Sequence, residues 1–269
     1  MDNLYLKDKG GYFRTYINNI YYKENQFVNE KATEEDLPCF ENIKHLLPMP
    51  IWEDHDESIK CYFKAWELAF CNLKKPSFGS GFISNYINPL FNGNVFMWDT
   101  VFMLMFGLYG IKAFDFQQSL NNFYKKQHPD GFICREISES TGDDLFHRYD
   151  PSSTGPNLLA WSEYAYYCFT GDIERLAKVF PVIAGYHQWF RNYRTWQDKS
   201  YYSSGWGCGM DNQPRIRGDY PFEFFHGFMS WIDITMQQLF SAYLIVKMSE
   251  ILNKRNQAQE FEEEREHLY

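Results

Sequence analysis

Residues 92–111 read NGNVFMWDTVFMLMFGLYGI, and this stretch decides the fold. From Met97 to Ile111 it is apolar on nearly every side, which predicts a helix that is buried over most of its surface. The glycine and asparagines before it are suited to tight turns. Asp99 falls in the first turn of the helix, where the positive end of the helix dipole favours a carboxylate. A polar loop therefore leads directly into a buried helix.

The order of a polar loop followed by a helix recurs on both sides of this stretch. Apolar spacing predicts further helices over 55–72, 114–127, 158–169, 173–193 and 229–252, with a charged segment at 256–269 that we interpret as a solvated helix face. Long loops at 75–94, 128–156 and 195–225 separate them. Gly171 ends one helix and Asp172 is the N-cap of the next. Because strands and helices do not alternate, the sequence predicts an all-α fold, a partial toroid of helical hairpins whose long loops meet at one end.

Residues 1–50 differ from the rest of the chain. Tyr12–Ile17 and Ile20–Tyr22 are strand-like, and an acidic segment follows them. We expect extended or irregular structure there, ending at Pro48-Met49-Pro50. The sequence thus predicts an N-terminal segment, 1–50, and a helical domain, 51–269.

Composition limits the possible partners. Lys and Arg number 26 against 35 Asp and Glu, so the net charge of −9 repels nucleic acid and acidic membrane surfaces. The longest uncharged apolar run, Val101–Ile111, is too short to cross a bilayer. Aromatic residues make up 20% of the chain, more than a core requires, so we expect many rings to line a cavity.

The six cysteines form no CxxC pair and have no nearby histidine partner. We interpret them as free thiols, which favours a reducing compartment such as the cytoplasm; a removed signal peptide would instead indicate the periplasm. Asp143 and Asp144 are adjacent rather than spaced as in a calcium loop. We therefore expect no metal and no cofactor.

Two loops contain candidate binding residues. In the first, Asp99 is either a carboxylate that accepts hydrogen bonds from adjacent sugar hydroxyls, with Trp98 stacked on the ring, or simply an acid at a helix N-terminus. In the second, Pro129-Asp130-Gly131 is a turn signature, so Asp130 is more readily explained as a turn residue. Arg135 and Glu136 in the same loop are less easily explained by structure alone.

The third loop, residues 203–215, reads SSGWGCGMDNQPR. Its three alternating glycines let the backbone bend sharply and approach a ligand. Trp206 and Met210 would place an apolar wall beside Asp211, and desolvation raises the pKa of a carboxyl group as a general acid requires. The alternative is a hairpin-like loop in which Asp211 and Asn212 hydrogen-bond to nearby backbone.

In order and content, the three loops resemble those of glycoside hydrolase family 63, inverting α-glycosidases built on an (α/α)6 barrel. The resemblance covers residues from about Pro48 to the end, and its third motif is the most specific. It implies a carbohydrate substrate, hydrolysis of a terminal α-glucosidic or α-mannosidic bond, Asp211 as the general acid, and Trp98 and Asp99 as residues that hold the non-reducing sugar. The remaining candidate substrate-binding residues are Phe96, Arg135, Glu136, Trp206, Asn212 and Arg215.

The general base of the resembled family is a glutamate near the end of the barrel, beyond the last helix predicted here. We therefore expect this chain to supply about half of a toroid and to show little or no hydrolysis by itself. An open half toroid exposes apolar side chains such as Met103, Phe106 and Met236, which predicts self-association or a partner that supplies the missing half.

Three other acids are possible bases within the chain: Glu163, Glu223 and Asp233. Each is better explained as a carboxylate on a helix face or in a loop. A second hypothesis therefore stays open, in which the protein is a non-catalytic carbohydrate-binding or assembly module with a degenerate site.

Overall fold

A computed structural model describes residues 3–7, 13–88, 92–210 and 229–269. The protein is 52% helical and 6% strand, which confirms the all-α class. The helices within these ranges are α1 (Phe40–Ile43), α2 (Asp56–Cys71), α3 (Met97–Gly107), α4 (Ser119–Lys125), α5 (Leu159–Thr170), α6 (Ile173–Tyr193), α7 (Ile232–Ile251) and α8 (Gln259–Leu268). None of these helices combines the length and apolar character that a membrane span needs.

Three small antiparallel sheets accompany the helices. They pair β1 (Asn3–Lys7) with β2 (Phe13–Ile17), β3 (Leu73–Lys74) with β4 (Tyr86–Ile87), and β5 (Asn94–Phe96) with β6 (Glu136–Ser138). The third sheet joins two of the long loops. The strands thus connect loops and form no layer of their own.

The helices alternate between central and peripheral positions. The central helices α3, α5 and α7 lie side by side in that order, and each packs against at least one of the peripheral helices α4, α6 and α8. Ring contacts connect α3 and the turn after it to α5. The ring centroids of Phe102 and Trp161 are 5.7 Å apart, and so are those of Tyr109 and Phe169. This is the predicted toroid-like arrangement, with three central helices in the described part of the chain.

Two of the predicted α-helices are shorter in the structure. The α-helix predicted to reach residue 111 ends at Gly107, where an added Cβ would lie 2.6 Å from Phe116. The helix predicted over 114–127 begins as a 3₁₀ turn, Phe116–Gln118, because the Asp115 carboxylate caps the Gln117 amide. The Gly171 and Asp172 caps between α5 and α6 are confirmed.

Much of the N-terminal segment packs into the main core. Tyr21 and Phe27 are buried, and Phe27 packs against Tyr124 of α4. The prediction that Ile20–Tyr22 is strand-like is wrong: the Asn19 side chain accepts a hydrogen bond from the Tyr21 amide and starts a 3₁₀ turn instead. The division into domains at residue 50 stays a prediction.

The C-terminal helix α8 is more than a solvated face. Phe261 is fully buried, and Glu264 accepts hydrogen bonds from His187 and Tyr201. Arg191 pairs with Glu260 on the same helix. Burial alone would raise the pKa of Glu264, but the charge and hydrogen bond of His187, the Tyr201 hydroxyl and Arg191 outweigh burial and lower it. The carboxylate form therefore holds α8 against α6.

Replacing Glu264 by Gln is expected to lower the free energy of unfolding at neutral pH by about 1.5–3 kcal/mol, the range of hydrogen bonds to charged groups. A lowered carboxyl pKa contributes stability above its ordinary value and loses it as the pH falls through the folded-state value. The difference between E264Q and the wild type should therefore shrink below about pH 4. Urea unfolding at several pH values measures this difference. E266Q, an exposed change on the same helix, is the control, and equal losses in both variants would contradict the account.

Candidate functional site

A cavity of about 510 Å³ lies where the loops before α3, α5 and α7 meet. Its described walls combine aromatic rings, two carboxylates and a guanidinium group. The residues that form these walls are Asn92, Phe96, Trp98, Asp99, Arg135, Glu136, Phe146, Gly155, Pro156, Trp206 and Gly209. Because each of these loops precedes a central helix, the cavity lies at the N-terminal end of the central helices.

The pairing of β5 with β6 brings the first two loops together. Phe96 pairs directly with Glu136, and the next pair along the ladder is Val95 with Ile137. Successive side chains of a strand point to opposite faces, so Phe96 and Glu136 line the cavity while Val95 and Ile137 are buried in the core. Two residues from distant parts of the sequence thus meet at one wall.

The same contact fixes where α3 begins. The amide of Met97 donates a hydrogen bond of 2.8 Å to the carbonyl of Arg135, and helical structure starts at Met97. Trp98 and Asp99 therefore occupy the first turn and are half-buried at the cavity. The Asp99 carboxylate thus lies at the positive end of the α3 dipole.

Neighbouring residues hold the charged side chains of Arg135 and Glu136 in the second loop in place. The Nε of Arg135 donates to the Ser152 carbonyl at 2.6 Å, and its guanidinium lies 4.4 Å above the Phe146 ring. The Glu136 carboxylate lies 3.5 Å from the Arg135 guanidinium, from Oε2 to Nη1, and accepts a hydrogen bond of 2.8 Å from the Asn94 side-chain amide. These contacts leave both side chains little rotational freedom.

The third loop approaches the other two closely. The Ser152 and Ser204 hydroxyls are 2.7 Å apart. At Gly209 the backbone has a φ of +75°, and an added Cβ would lie 2.9 Å from the Trp98 ring and 3.0 Å from Pro156. Glycine is required here both for its backbone conformation and for the contact with Trp98. The expected close backbone approach therefore occurs against a residue of the cavity wall.

A buried network supports the second loop from behind. The Asp130 carboxylate accepts hydrogen bonds from Arg148 at 2.7 Å and from the Trp189 indole at 3.0 Å. Arg148 also donates to Nδ1 of His128 at 2.8 Å, so this nitrogen is an acceptor and Nε2–H donates to Asp144 at 2.7 Å. Asp130 is not among the residues that line the cavity and serves the structure of the loop.

Histidine, cysteine and acidic side chains are the groups that could bind a metal ion or supply a reactive thiol. In these ranges, His, Cys, Asp and Glu side chains form no group of three that could hold a metal ion. The thiols of Cys39, Cys61, Cys71, Cys134 and Cys168 form no disulfide. Burial raises the pKa of the Cys134 thiol to about 12, so it stays protonated at neutral pH.

The structure brings together six of the predicted site residues: Phe96, Trp98, Asp99, Arg135, Glu136 and Trp206. Asp211, Asn212, Arg215 and the alternative base Glu223 lie outside the described residues. Glu163 is buried away from the cavity, where it accepts hydrogen bonds from Arg175 and Tyr124. Asp233 lies in the first turn of α7 and does not line the cavity.

Four cavity residues were missed by sequence reasoning: Asn92, Phe146, Gly155 and Pro156. Gly155 and Pro156 come just before a central helix, as Phe96 does before α3, and this shared position could have revealed them. Nothing in the local sequence distinguishes Phe146, because its place depends on the path of the loop around Arg135.

Comparison with known proteins relates this fold to solved structures. No protein-family model matches the sequence. The chain resembles an uncharacterized conserved protein from Thermus thermophilus, with a TM-score of 0.54 and 17% identity over 76% of this chain and 60% of that one. It also resembles a GH63 mannosylglycerate hydrolase from the same organism, solved in complex with Tris and D-glycerate, with a TM-score of 0.52 and 16% identity over 76% and 62% of the two chains. The TM-scores show a common fold, and at such low identity they show the fold alone.

A curated relative is known from sequence. The chain is 26% identical to an uncharacterized protein of Borreliella burgdorferi over 157 aligned residues. The aligned residues are 58% of this chain and 31% of the relative. The chain therefore spans about a third of this relative and about 60% of the solved neighbours. The architecture that the chain shares with the solved neighbours is a GH63-like fold.

Proposed function

We propose that the cavity binds the terminal hexose of an α-glucoside or α-mannoside, and that the protein acts as an inverting glycosidase of this linkage. One observation carries the proposal: the rings of Trp98 and Trp206 border the same cavity as the carboxylates of Asp99 and Glu136. Sugars have apolar ring faces and hydroxyl edges, so a site for them needs aromatic surfaces together with charged hydrogen-bond acceptors. The volume of about 510 Å³ is in the range of small-ligand pockets.

The fold supports the proposal without deciding it. A single fold hosts many activities, so likeness to a GH63 mannosylglycerate hydrolase gives only a starting point. The chemistry of the cavity walls is a second line of support, separate from the likeness in fold. Aromatic rings and carboxylates from three loops line the same cavity. Motif resemblance to glycoside hydrolase family 63 supplies the proposed bond type.

Each residue has a proposed role. Trp98 stacks on the apolar face of the sugar, and Asp99 accepts hydrogen bonds from two adjacent hydroxyls. Arg135 and Glu136, held by their neighbours, fix the orientation of the ring. Asp211, which follows Met210 in the sequence of the third loop, is the proposed general acid that protonates the leaving oxygen.

Inversion requires a second carboxyl group, about 6.5–9.5 Å from the acid, that removes a proton from water on the opposite face of the sugar. No base is assigned within the described residues. Binding of the sugar does not require the base. Binding and turnover are therefore tested separately.

Replacing Trp98 by Ala is expected to weaken the binding of methyl α-mannoside or methyl α-glucoside about tenfold, because the apolar face of the sugar loses its stacking partner. Isothermal titration calorimetry with both glycosides measures the change. Trp196→Ala is the matched control, since Trp196 is exposed and does not line the cavity. Equal affinity for W98A and the wild type would place the sugar elsewhere.

Turnover separates the enzyme from the alternative, a binding module with a degenerate site. Release of the β-anomer from an α-glycoside, followed by NMR before mutarotation, supports the inverting enzyme. Sugar binding without hydrolysis, even when the ring of helices is complete, supports the binding module. If neither glycoside binds, both hypotheses fail.

A further inference from the structure

A largely buried carboxylate, that of Glu139, lies behind the cavity wall. The residue follows β6, its side chain is 12% exposed, and it does not line the cavity. Lys74 donates to its Oε2 at 2.7 Å. Its Oε1 accepts hydrogen bonds from the Asn88 side-chain amide at 2.6 Å and from the Tyr86 hydroxyl at 3.2 Å. Lys74 and Tyr86 belong to the β3–β4 sheet, so this carboxylate joins that sheet to the end of β6.

The same residue fixes the turn that leads into β5. The Glu139 backbone amide donates to the Gly93 carbonyl at 3.0 Å. Asn88, which the Glu139 carboxylate holds, donates a second hydrogen bond of 3.0 Å to the Asn94 carbonyl. The backbone of Gly93 has a φ of +77°, a conformation that glycine adopts readily. Two successive carbonyls of the turn are thus fixed by Glu139 and its partner.

Asn94 extends this anchoring to the cavity. Its side-chain amide donates to Oε1 of Glu136 at 2.8 Å, and Glu136 lines the cavity. The last torsion of a glutamate side chain has broad minima, so a donor at hydrogen-bond distance decides where the carboxylate oxygens lie. The position of the Glu136 carboxylate therefore depends on Asn94, and that of Asn94 depends on Glu139.

We propose that Glu139 is a positioning residue for the sugar site, which sets the place of the Glu136 carboxylate through Asn88 and Asn94. The inference rests on the proposed function, because Glu136 is one of the residues that we assign to orienting the sugar. A carboxylate suits this task, since its two oxygens can accept from all three donors. Glutamine has a single acceptor oxygen, and its NH2 group would face another donor, which is costly for a buried polar group.

A double-mutant cycle in sugar affinity tests this role. Glu139→Gln is expected to weaken the binding of methyl α-mannoside or methyl α-glucoside about five- to tenfold, but less than about twofold when Glu136 is already Gln. Isothermal titration calorimetry measures the affinities. A residue that only stabilises the fold would lower the affinity by the same factor in both backgrounds, and equal factors would overturn the proposal. Glu30→Gln, at an ion pair with Lys178 outside the cavity, is the control and should leave affinity unchanged.

Asn94→Ala provides a second variant that leaves Glu139 and its three donors in place. It should show the same dependence on Glu136, and it keeps the proposal testable if E139Q does not fold. Crystal structures of the wild type and N94A test the positioning without any sugar. In N94A the Glu136 carboxylate should move by more than about 1 Å while β5 and β6 stay paired.

The crystal structures also separate this inference from the proposed function. A Glu136 carboxylate that keeps its wild-type place in N94A would overturn the positioning role, whatever the sugar affinities are. A wild type that binds neither glycoside would reject the proposed function instead. The displacement of Glu136 in N94A would then still decide whether the anchored turn positions this carboxylate.

Discussion

Replacing Asp211 by Asn is expected to lower the rate of hydrolysis of an alkyl α-glucoside or α-mannoside by about 10²–10⁴-fold, in any preparation with measurable turnover. An alkoxide is a poor leaving group and departs only when a general acid protonates it. Asparagine keeps the size and hydrogen bonding of the side chain but has no acidic proton. The loss should therefore appear in kcat, with binding of the sugar little changed.

The leaving group provides an internal control for this variant. A dinitrophenyl glycoside releases a stable anion that needs no proton, so D211N should retain much more of its activity on this substrate than on the alkyl glycoside. Asp143→Asn, a change at an exposed acid in the second loop, should leave both rates unaltered. Undiminished hydrolysis of the alkyl glycoside by D211N would remove Asp211 from the mechanism.

Replacing Asp130 by Ala is expected to destabilise the protein by about 3–5 kcal/mol, the cost of removing one partner of a buried ion pair. Both side chains of the Asp130–Arg148 pair are almost completely buried. The substitution also leaves the Trp189 indole N–H without its carboxylate acceptor. Because Arg148 links Asp130 to His128, the second loop should loosen and sugar binding should weaken too.

Chemical denaturation measures the loss, with Asp143→Ala as the exposed control that should change stability by less than about 0.5 kcal/mol. The double variant Asp130→Ala/Arg148→Met should be more stable than D130A alone, because it leaves no uncompensated buried charge. A loss below about 1 kcal/mol for D130A would contradict the account of this network.

The helical framework could be predicted because its signals are local. The N-cap Asp172 and the left-handed Gly171 lie next to each other in sequence, and helix α6 begins where they indicate. The apolar run after Trp98 likewise identified α3. Its end at Gly107 could not be predicted, since the apolar run continues to residue 111 while the backbone changes to a 3₁₀ turn at Leu108–Gly110.

Other features depend on contacts between distant residues. Ile20–Tyr22 has strand-like composition, but the Asn19 side chain turns the backbone into a 3₁₀ conformation. The charged composition of α8 concealed Glu264, whose partners His187 and Tyr201 are more than sixty residues away. Burial of such a carboxylate depends on partners that periodicity does not reveal.

The cavity was partly predictable for a positional reason. Phe96, Trp98 and Asp99 surround the start of one central helix, and long loops that precede such helices meet at one end of a toroid. Phe146 could not be found in this way, because it reaches the cavity through its contact with Arg135. The roles of Asp211, Asn212 and Arg215 stay predictions from the sequence.

The central claim is that a hexose binds between Trp98 and Trp206, and the indole resonances of the protein test it most directly. With 5-fluorotryptophan in place of tryptophan, and resonances assigned by Trp→Phe variants, methyl α-mannoside and methyl α-glucoside are titrated while fluorine NMR is recorded. We predict that at least one glycoside shifts the signals of Trp98 and Trp206, while the signal of the buried Trp189 stays in place. Shifts confined to exposed tryptophans such as Trp52 or Trp196, or no shift with either glycoside, would contradict the claim.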